Sequence, residues 1–183
     1  MRPIKVKKPI IYLTGFMGSG KSTVGPKLAE ALGRRFFDLD EVIEQRSEKT
    51  IAQIFQEEGE DFFRQVESET LKELSTRHLA VIALGGGAIL ELENLNLVKE
   101  TGILICLMAE PAEIYRRVGN SSKRPLLQGP HGNASSEEAI YQHIEFLLRI
   151  RQPYYEEADL SIETTGKSVE EIVEEILEKL KAK

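Results

Sequence analysis

Gly15-Phe16-Met17-Gly18-Ser19-Gly20-Lys21-Ser22 satisfies the pattern G-x-x-x-x-G-K-[ST] at every position. The apolar run Ile10-Ile11-Tyr12-Leu13-Thr14 leads into it with strand character. Lys21 to Leu32 leads out with Val24, Leu28, Ala29 and Leu32 on one helical face. Strand, glycine-rich loop and helix N-terminus are the setting in which this pattern has physical meaning. Glycines let successive backbone N–H groups turn inward around an anion, and the helix terminus adds partial positive charge. Lys21 can reach the β- and γ-phosphates of a nucleoside triphosphate, and the Ser22 hydroxyl can ligate Mg²⁺. The chain is expected to bind such a nucleotide.

The 183 residues suit one domain with a core of its own, and a hydrophobic share of 41% fits a globular chain. A formal charge of −6 argues against a nucleic-acid or anionic-membrane partner. Anionic ligands must therefore be held by a local cluster of Lys and Arg. Cys106 is the one cysteine, inside the apolar run from Ile103 to Met108, and reads as an inert core thiol. His78, His131 and His143 lack ligand spacing, so no zinc site is expected. The basic start before Ile10 imitates a signal peptide. Its apolar stretch is short, however, and is broken by Thr14 and Gly15. With no membrane span in view, a cytoplasmic, monomeric protein is the expectation.

Strand-like runs alternate with helical patterns, the signature of an α/β fold with a parallel sheet. Strands are expected near Ile10–Thr14, Arg35–Asp38, Ala80–Leu84, Ile103–Met108 and Asp159–Ile162. Helices are expected near Lys21–Leu32, Leu39–Arg46, Ile51–Glu58, Glu60–Ser75, Glu91–Lys99, Pro111–Val118, Ser136–Tyr155 and Val169–Leu180. Thr50 reads as an N-cap and Pro111 as a first-turn proline. Pro26, inside the first helix, removes a backbone bond to the Ser22 carbonyl. From Gly119 to Ser135 the apolar period stops and Asn, Ser, Gly, Pro and His dominate. Because Arg124-Pro125-Leu126-Leu127 sits there, this stretch reads as a mobile lid.

A second constellation bears on the reaction. The apolar run Val81-Ile82-Ala83-Leu84 ends in Gly85-Gly86-Gly87, which at the C-terminal end of a parallel strand brings backbone close to a ligand crevice. An acid follows the second strand, in Phe37-Asp38-Leu39-Asp40-Glu41. In strand geometry Asp38 and Asp40 project to the same side, one for the metal and one for a substrate hydroxyl. Equally, either could cap the next helix. Arg64 and Glu67 are spaced i,i+3 and by themselves fit an ordinary surface pair.

Taken in order, the phosphate loop, Asp38-Leu39-Asp40, Phe63-Arg64, Gly85-Gly86-Gly87, Arg124-Pro125-Leu126-Leu127 and Arg151-Gln152-Pro153-Tyr154-Tyr155 resemble the shikimate kinase family over about Pro9 to Thr165. The resemblance implies a single-domain, three-layer α/β sandwich of P-loop nucleoside-monophosphate-kinase type. Its five-stranded parallel sheet would have the order 2-3-1-4-5, with a lid at about 119–135 and a substrate-binding helical segment at about 39–75. It implies transfer of the ATP γ-phosphoryl group to the 3-hydroxyl of shikimate, in aromatic amino-acid biosynthesis. The nucleotide site would comprise Gly15, Met17, Gly18, Ser19, Gly20, Lys21, Ser22, Thr23, Arg117 and Arg124, with Arg117 near adenine. Ser22 and Asp38 would serve Mg²⁺. Shikimate would be held by Asp40, Arg64, Gly85, Gly86, Gly87 and Arg151, with Lys21, Asp40 and Arg124 carrying catalysis. The stretch from Gln128 to Ser135 makes the lid longer than the family's usual one.

Two other readings stand beside this one. A kinase of another small metabolite, such as gluconate, shares the phosphate loop but gives no reason for the three glycines with Arg64 and Arg151. A nucleotide-dependent switch leaves both arginines without a task, and the chain has no Asn-Lys-x-Asp motif to read guanine.

Overall fold

The computed structural model describes residues 8–118 and 137–182. Five strands, β1 (Ile10–Thr14), β2 (Arg35–Asp38), β3 (Ala80–Ala83), β4 (Gly102–Met108) and β5 (Leu160–Glu163), form one parallel sheet in the order β2-β3-β1-β4-β5. Burial explains the order. Every residue of β1 and β3, and all of β4 but Met108, is buried, as strands covered on both faces must be. β2 and β5 carry exposed residues and take the edges.

Alternate residues of each strand feed two apolar layers. Ile11, Leu13, Val81, Ile105 and Leu107 pack beneath α1 (Lys21–Leu32) and α8 (Val169–Lys181). Ile10, Tyr12, Ile82, Leu104 and Cys106 face the layer built by α2 (Leu39–Ser47), α3 (Ile51–Glu57), α4 (Glu60–Leu74), α5 (Leu92–Thr101), α6 (Pro111–Val118) and α7 (Glu137–Tyr155). The expected sheet order and α/β class are therefore present. Thr50 caps α3 in a reciprocal box with Gln53, and Pro111 opens α6. α1 runs as one helix from Lys21 to Leu32 with Pro26 inside it. Cys106 is fully buried, and burial pushes its thiol up to about 12, so it is the inert core thiol expected.

Two departures from expectation are physical. β4 begins at Gly102, one residue early, because that residue already pairs with Ile10 of β1, and a side chain there would run into the Tyr12 ring. A short 3₁₀ turn, Ala88–Leu90, follows the three glycines and is tied to α5 by Asn94 Nδ2, which donates to the Ala88 carbonyl at 2.9 Å. As expected, α7 runs through Pro153 to Tyr155, so Arg151 and Tyr155 lie one turn apart on the same face. The expected lid lies outside the described residues.

Candidate active site

The C-terminal edge of the sheet gathers the loop after β1, Asp38 at the end of β2, the glycines after β3 and α6 after β4. This is where a parallel sheet binds ligands. In the phosphate loop Gly15 adopts φ +134, and any side chain there would meet the Leu107 carbonyl of β4. Gly20 caps α1 with φ 104, contributes no side-chain bond, and precedes a first turn without an acidic residue. The helix N-terminus thus faces the loop with neither a capping side chain nor an acidic residue in its first turn, as an anion site requires. Lys21 Nζ donates to the Gly15 and Phe16 carbonyl oxygens at 2.8 and 3.1 Å, lying back over the loop it follows. Ser19 is buried with a hydroxyl lacking any partner, Met17 is nearly buried, and Thr23 is exposed on the first turn of α1.

Ser22 Oγ donates to Asp38 Oδ2 at 2.7 Å, while Asp38 Oδ1 accepts from the Asp40 amide at 3.1 Å. Asp38 therefore caps α2 and faces the phosphate-loop serine at once. The two readings of this acid were never alternatives. Asp40 does not continue the strand, as its spacing from Asp38 suggested. It sits in the first turn of α2 and reaches the site from there. Its Oδ1 is buried without a partner, and its carboxyl is pushed above the ordinary range by burial and by Asp38, with Lys21 opposing.

Opposite Asp40 stands Glu67 of α4, fully buried. Its Oε2 accepts from Arg64 Nη1 at 2.7 Å, its Oε1 has no partner, and burial raises its carboxyl to about 7 against the pull of Arg64. This is no surface pair. A Cβ on Gly85 would lie 2.5 Å from Glu67 Oε1 and 2.9 Å from Asp40 Oδ1. One on Gly87 would lie 3.0 Å from Arg64 Nη2, and one on Gly86 would lie 3.3 Å from Arg151 Nη1. The three glycines are spaces into which two carboxyls and two guanidiniums fit.

Arg151, on α7, is buried. It donates through Nη1 to the Gly86 carbonyl at 3.1 Å and lies over the Phe16 ring at 5.4 Å. Tyr155 OH donates to the same carbonyl at 3.3 Å. The position of a Cβ on Gly86 is also 3.8 Å from Gly15 O and Met17 N, so the glycine turn abuts the phosphate loop. Arg117, on α6, donates to Gly18 O at 2.9 Å and to Thr164 O at 3.3 Å, and its Nε donates to Glu113 at 2.7 Å. Every site residue expected from the sequence within the described residues thus borders one cleft or its phosphate loop. Arg124 lies outside them.

Phe16, Tyr155, Glu113 and Thr164 were given no role from the sequence. Tyr155 and Glu113 left a signal, their i,i+4 spacing from Arg151 and Arg117. The others are fixed by tertiary contact.

Residues 17–181 match the family model described as Shikimate kinase. A shikimate kinase of Chlorobium limicola is 46% identical over 167 residues, which covers 91% of this chain and 84% of the relative. The solved structure of a shikimate kinase from Acinetobacter baumannii in complex with shikimate superposes with TM-score 0.88 at 39% identity, covering 97% of this chain and 95% of that one. A gluconokinase from Sinorhizobium meliloti reaches TM-score 0.54 at 16% identity, a likeness of fold alone.

Proposed function

The chain belongs to the shikimate kinase family and is an ATP-dependent kinase of shikimate, and we propose the following assignment of its residues to that reaction. The observation that carries it is the junction of two sites. Asp40, Arg64, Glu67 and Arg151 crowd around Gly85–Gly87, and that turn touches the phosphate loop at Gly15 and Met17. An acceptor seated on the glycines is therefore adjacent to a phosphate held by the loop.

The amides of the loop and of the first turn of α1, together with Lys21, hold the β- and γ-phosphates. Arg117 holds the adenine end, where it already ties α6 to Gly18 and Thr164. Ser22 and Asp38 fit Mg²⁺, since their hydroxyl and carboxylate oxygens are hard donors 2.7 Å apart. Among the described residues no group of three His, Cys, Asp or Glu forms a cage. A metal here would draw its remaining ligands from phosphate and water, as Mg²⁺ commonly does. Bound Mg²⁺ neutralises charge developing on the phosphate oxygens.

On the acceptor side, Arg64 and Arg151 grip the carboxylate of shikimate from either side of the glycine turn. Guanidiniums suit this task because their planar fork matches a carboxylate. Asp40 accepts hydrogen bonds from the ring hydroxyls and orients the 3-hydroxyl toward the γ-phosphorus. As the new O–P bond forms and the bond to ADP breaks, the hydroxyl proton passes to Asp40. Its raised proton affinity suits that step. The transition state is loose, so positioning and the charge of Lys21 carry most of the catalysis. Arg124 joins these residues by its match to the family's motif.

A coupled ADP-release assay with shikimate, with gluconate and with no acceptor tests the assignment. Rapid turnover is expected with shikimate alone. Equal rates in all three arms would sink it.

A further inference from the structure

The phosphate loop is braced from outside by α6. Gly15, Gly18 and Gly20 have φ of +134, +77 and +104, a region that glycine enters and leaves without strain. A loop built on such residues takes its shape from the bonds made to it. Arg117 Nη1 donates to Gly18 O at 2.9 Å, and among the described residues no other side chain from outside the loop bonds its backbone. Packing meets the bond at the same place. A Cβ on Gly18 would lie 2.7 Å from Val118 Cγ1 and 3.9 Å from the Ile114 carbonyl oxygen.

Arg117 is itself held on two sides. Its Nε donates to Glu113 Oε1 at 2.7 Å, one turn back on α6. Its Nη2 donates to Thr164 O at 3.3 Å and its Nη1 to Thr164 Oγ1 at 3.4 Å. Thr164 is a fixed post, fully buried, whose amide and hydroxyl both donate to the Met108 carbonyl at the end of β4, each at 2.8 Å. With the bond to Gly18, four of the five guanidinium hydrogens of Arg117 point at protein oxygens. The Glu113 side chain is 14% exposed and also accepts from Arg116, which is 73% exposed. Arg116, and then Arg117, hold the Glu113 carboxyl down to about 2, so it is ionised at any working pH. The charge of Arg117 is therefore balanced where it stands. What it gives the loop is direction.

Resting on the assignment of the nucleotide's phosphates to this loop, we propose that Glu113 is a positioning residue for phosphate binding, acting through Arg117 on the Gly18 carbonyl. The Gly18 carbonyl and the Ser19 N–H belong to one rigid peptide plane. Ser19 N donates to Phe16 O at 3.1 Å, so the plane is held across the loop by Phe16 and outward by Arg117. Without Glu113 the arginine loses the partner on its own helix, and its long side chain is free to leave Gly18. An arriving phosphate must then order the loop as well as bind to it, which weakens its affinity. The effect falls on phosphates with or without a base attached. It spares the acceptor's carboxylate, which is held by other elements.

The test is titration calorimetry of ADP, of inorganic tripolyphosphate and of shikimate into the full chain, each alone. Glu113→Ala should weaken ADP and tripolyphosphate by the same factor, roughly threefold to thirtyfold. Shikimate affinity should stay within about twofold, which a general loss of structure would not allow. Glu113→Gln keeps an acceptor for Arg117 Nε and should hold both phosphate ligands to within about threefold of the parent. In an Arg117→Ala background Glu113→Ala should add nothing, because the relay is already cut. Thr164→Val, close in shape but without the hydroxyl, should weaken the same two ligands and decides the matter if Glu113→Ala fails to fold. A loss confined to ADP would tie Glu113 to the base alone and overturn the proposal. So would a loss shared with shikimate, or one that persists without Arg117. Failure of the parent to bind either phosphate ligand refutes the assignment of the loop itself, whereas parent binding that Glu113→Ala leaves unchanged refutes this proposal alone.

Discussion

Adding a single methyl group to each glycine of Gly85-Gly86-Gly87 in turn should produce a graded loss. None of the three has a φ in the left-handed region, so alanine is not opposed by backbone strain and the effect is one of space. At Gly85 the new Cβ would sit 2.5 Å from Glu67 Oε1 and 2.9 Å from Asp40 Oδ1. Ordinary contact requires these oxygens to retreat by roughly 1 Å. Both belong to side chains packed between α2 and α4, and overpacking of that kind costs about 1–3 kcal/mol. In a chain of this length that lowers Tm by roughly 3–9 °C. Displacing acceptor-positioning groups by about 1 Å should cost on the order of a hundredfold in kcat/KM for shikimate. Gly87→Ala, against the Arg64 guanidinium at 3.0 Å, should destabilise less, and Gly86→Ala, with its nearest contact at 3.3 Å, least. Thermal melts and steady-state kinetics at saturating ATP measure both quantities. A reversed order of stability would refute the steric reasoning. A Gly85→Ala enzyme within threefold of the parent toward shikimate would remove the acceptor from this turn.

Lys21→Ala should fold normally yet lose about 3 kcal/mol or more of transition-state stabilisation, and a purified, folded variant with near-parent kcat would refute the role of Lys21. Arg64→Lys and Arg151→Lys should each weaken shikimate binding roughly tenfold to a hundredfold, with ATP affinity by calorimetry unchanged within about threefold. Arg151→Lys should also cost about 1–2 kcal/mol of stability in urea titrations, because it loses the bond to Gly86 O and the contact over Phe16. Glu67 takes up a proton on folding, its carboxyl being raised from 4.5 to about 7. Its contribution to stability is thus fully present below about pH 4.5 and declines as pH rises through 7. Relative to the parent, Glu67→Gln should gain on the order of 1–3 kcal/mol between pH 5 and pH 8. Denaturation midpoints that shift in parallel for both proteins would contradict this.

The sheet and the phosphate loop were legible because their signals are local. Ile10–Thr14 and Val81–Leu84 are unbroken apolar runs, as strands buried on both faces require, and the loop's eight residues are contiguous. Asp40 illustrates what was not legible. The helix beginning at Leu39 was expected, but not that its first turn brings the Asp40 carboxyl beside Glu67 Oε1 at Gly85. Glu67 was visible as the i,i+3 partner of Arg64, but nothing local distinguishes an exposed pair from one whose acid is fully buried. That difference arises where α2, α4 and the glycines close on one another. The start of β4 at Gly102 and the anchoring of Arg117 on Thr164 are likewise products of distant packing.

The arrangement also answers how a chain of net charge −6 draws two anionic substrates into one cleft. The cations there are held in two different ways. Lys21 and Arg151 donate to the backbone carbonyl oxygens of Gly15, Phe16 and Gly86, which fix their direction but carry no net charge. Their positive charge is therefore not cancelled by these bonds. The first turn of α1 adds its own partial charge, with no acidic residue within the turn itself. Arg64 differs, since carboxylates from Glu60 and Glu67 hold it. In the acceptor half, part of the positive charge of Arg64 is thus already balanced by carboxylates, and the charge of Arg151 is not balanced by its bond to Gly86.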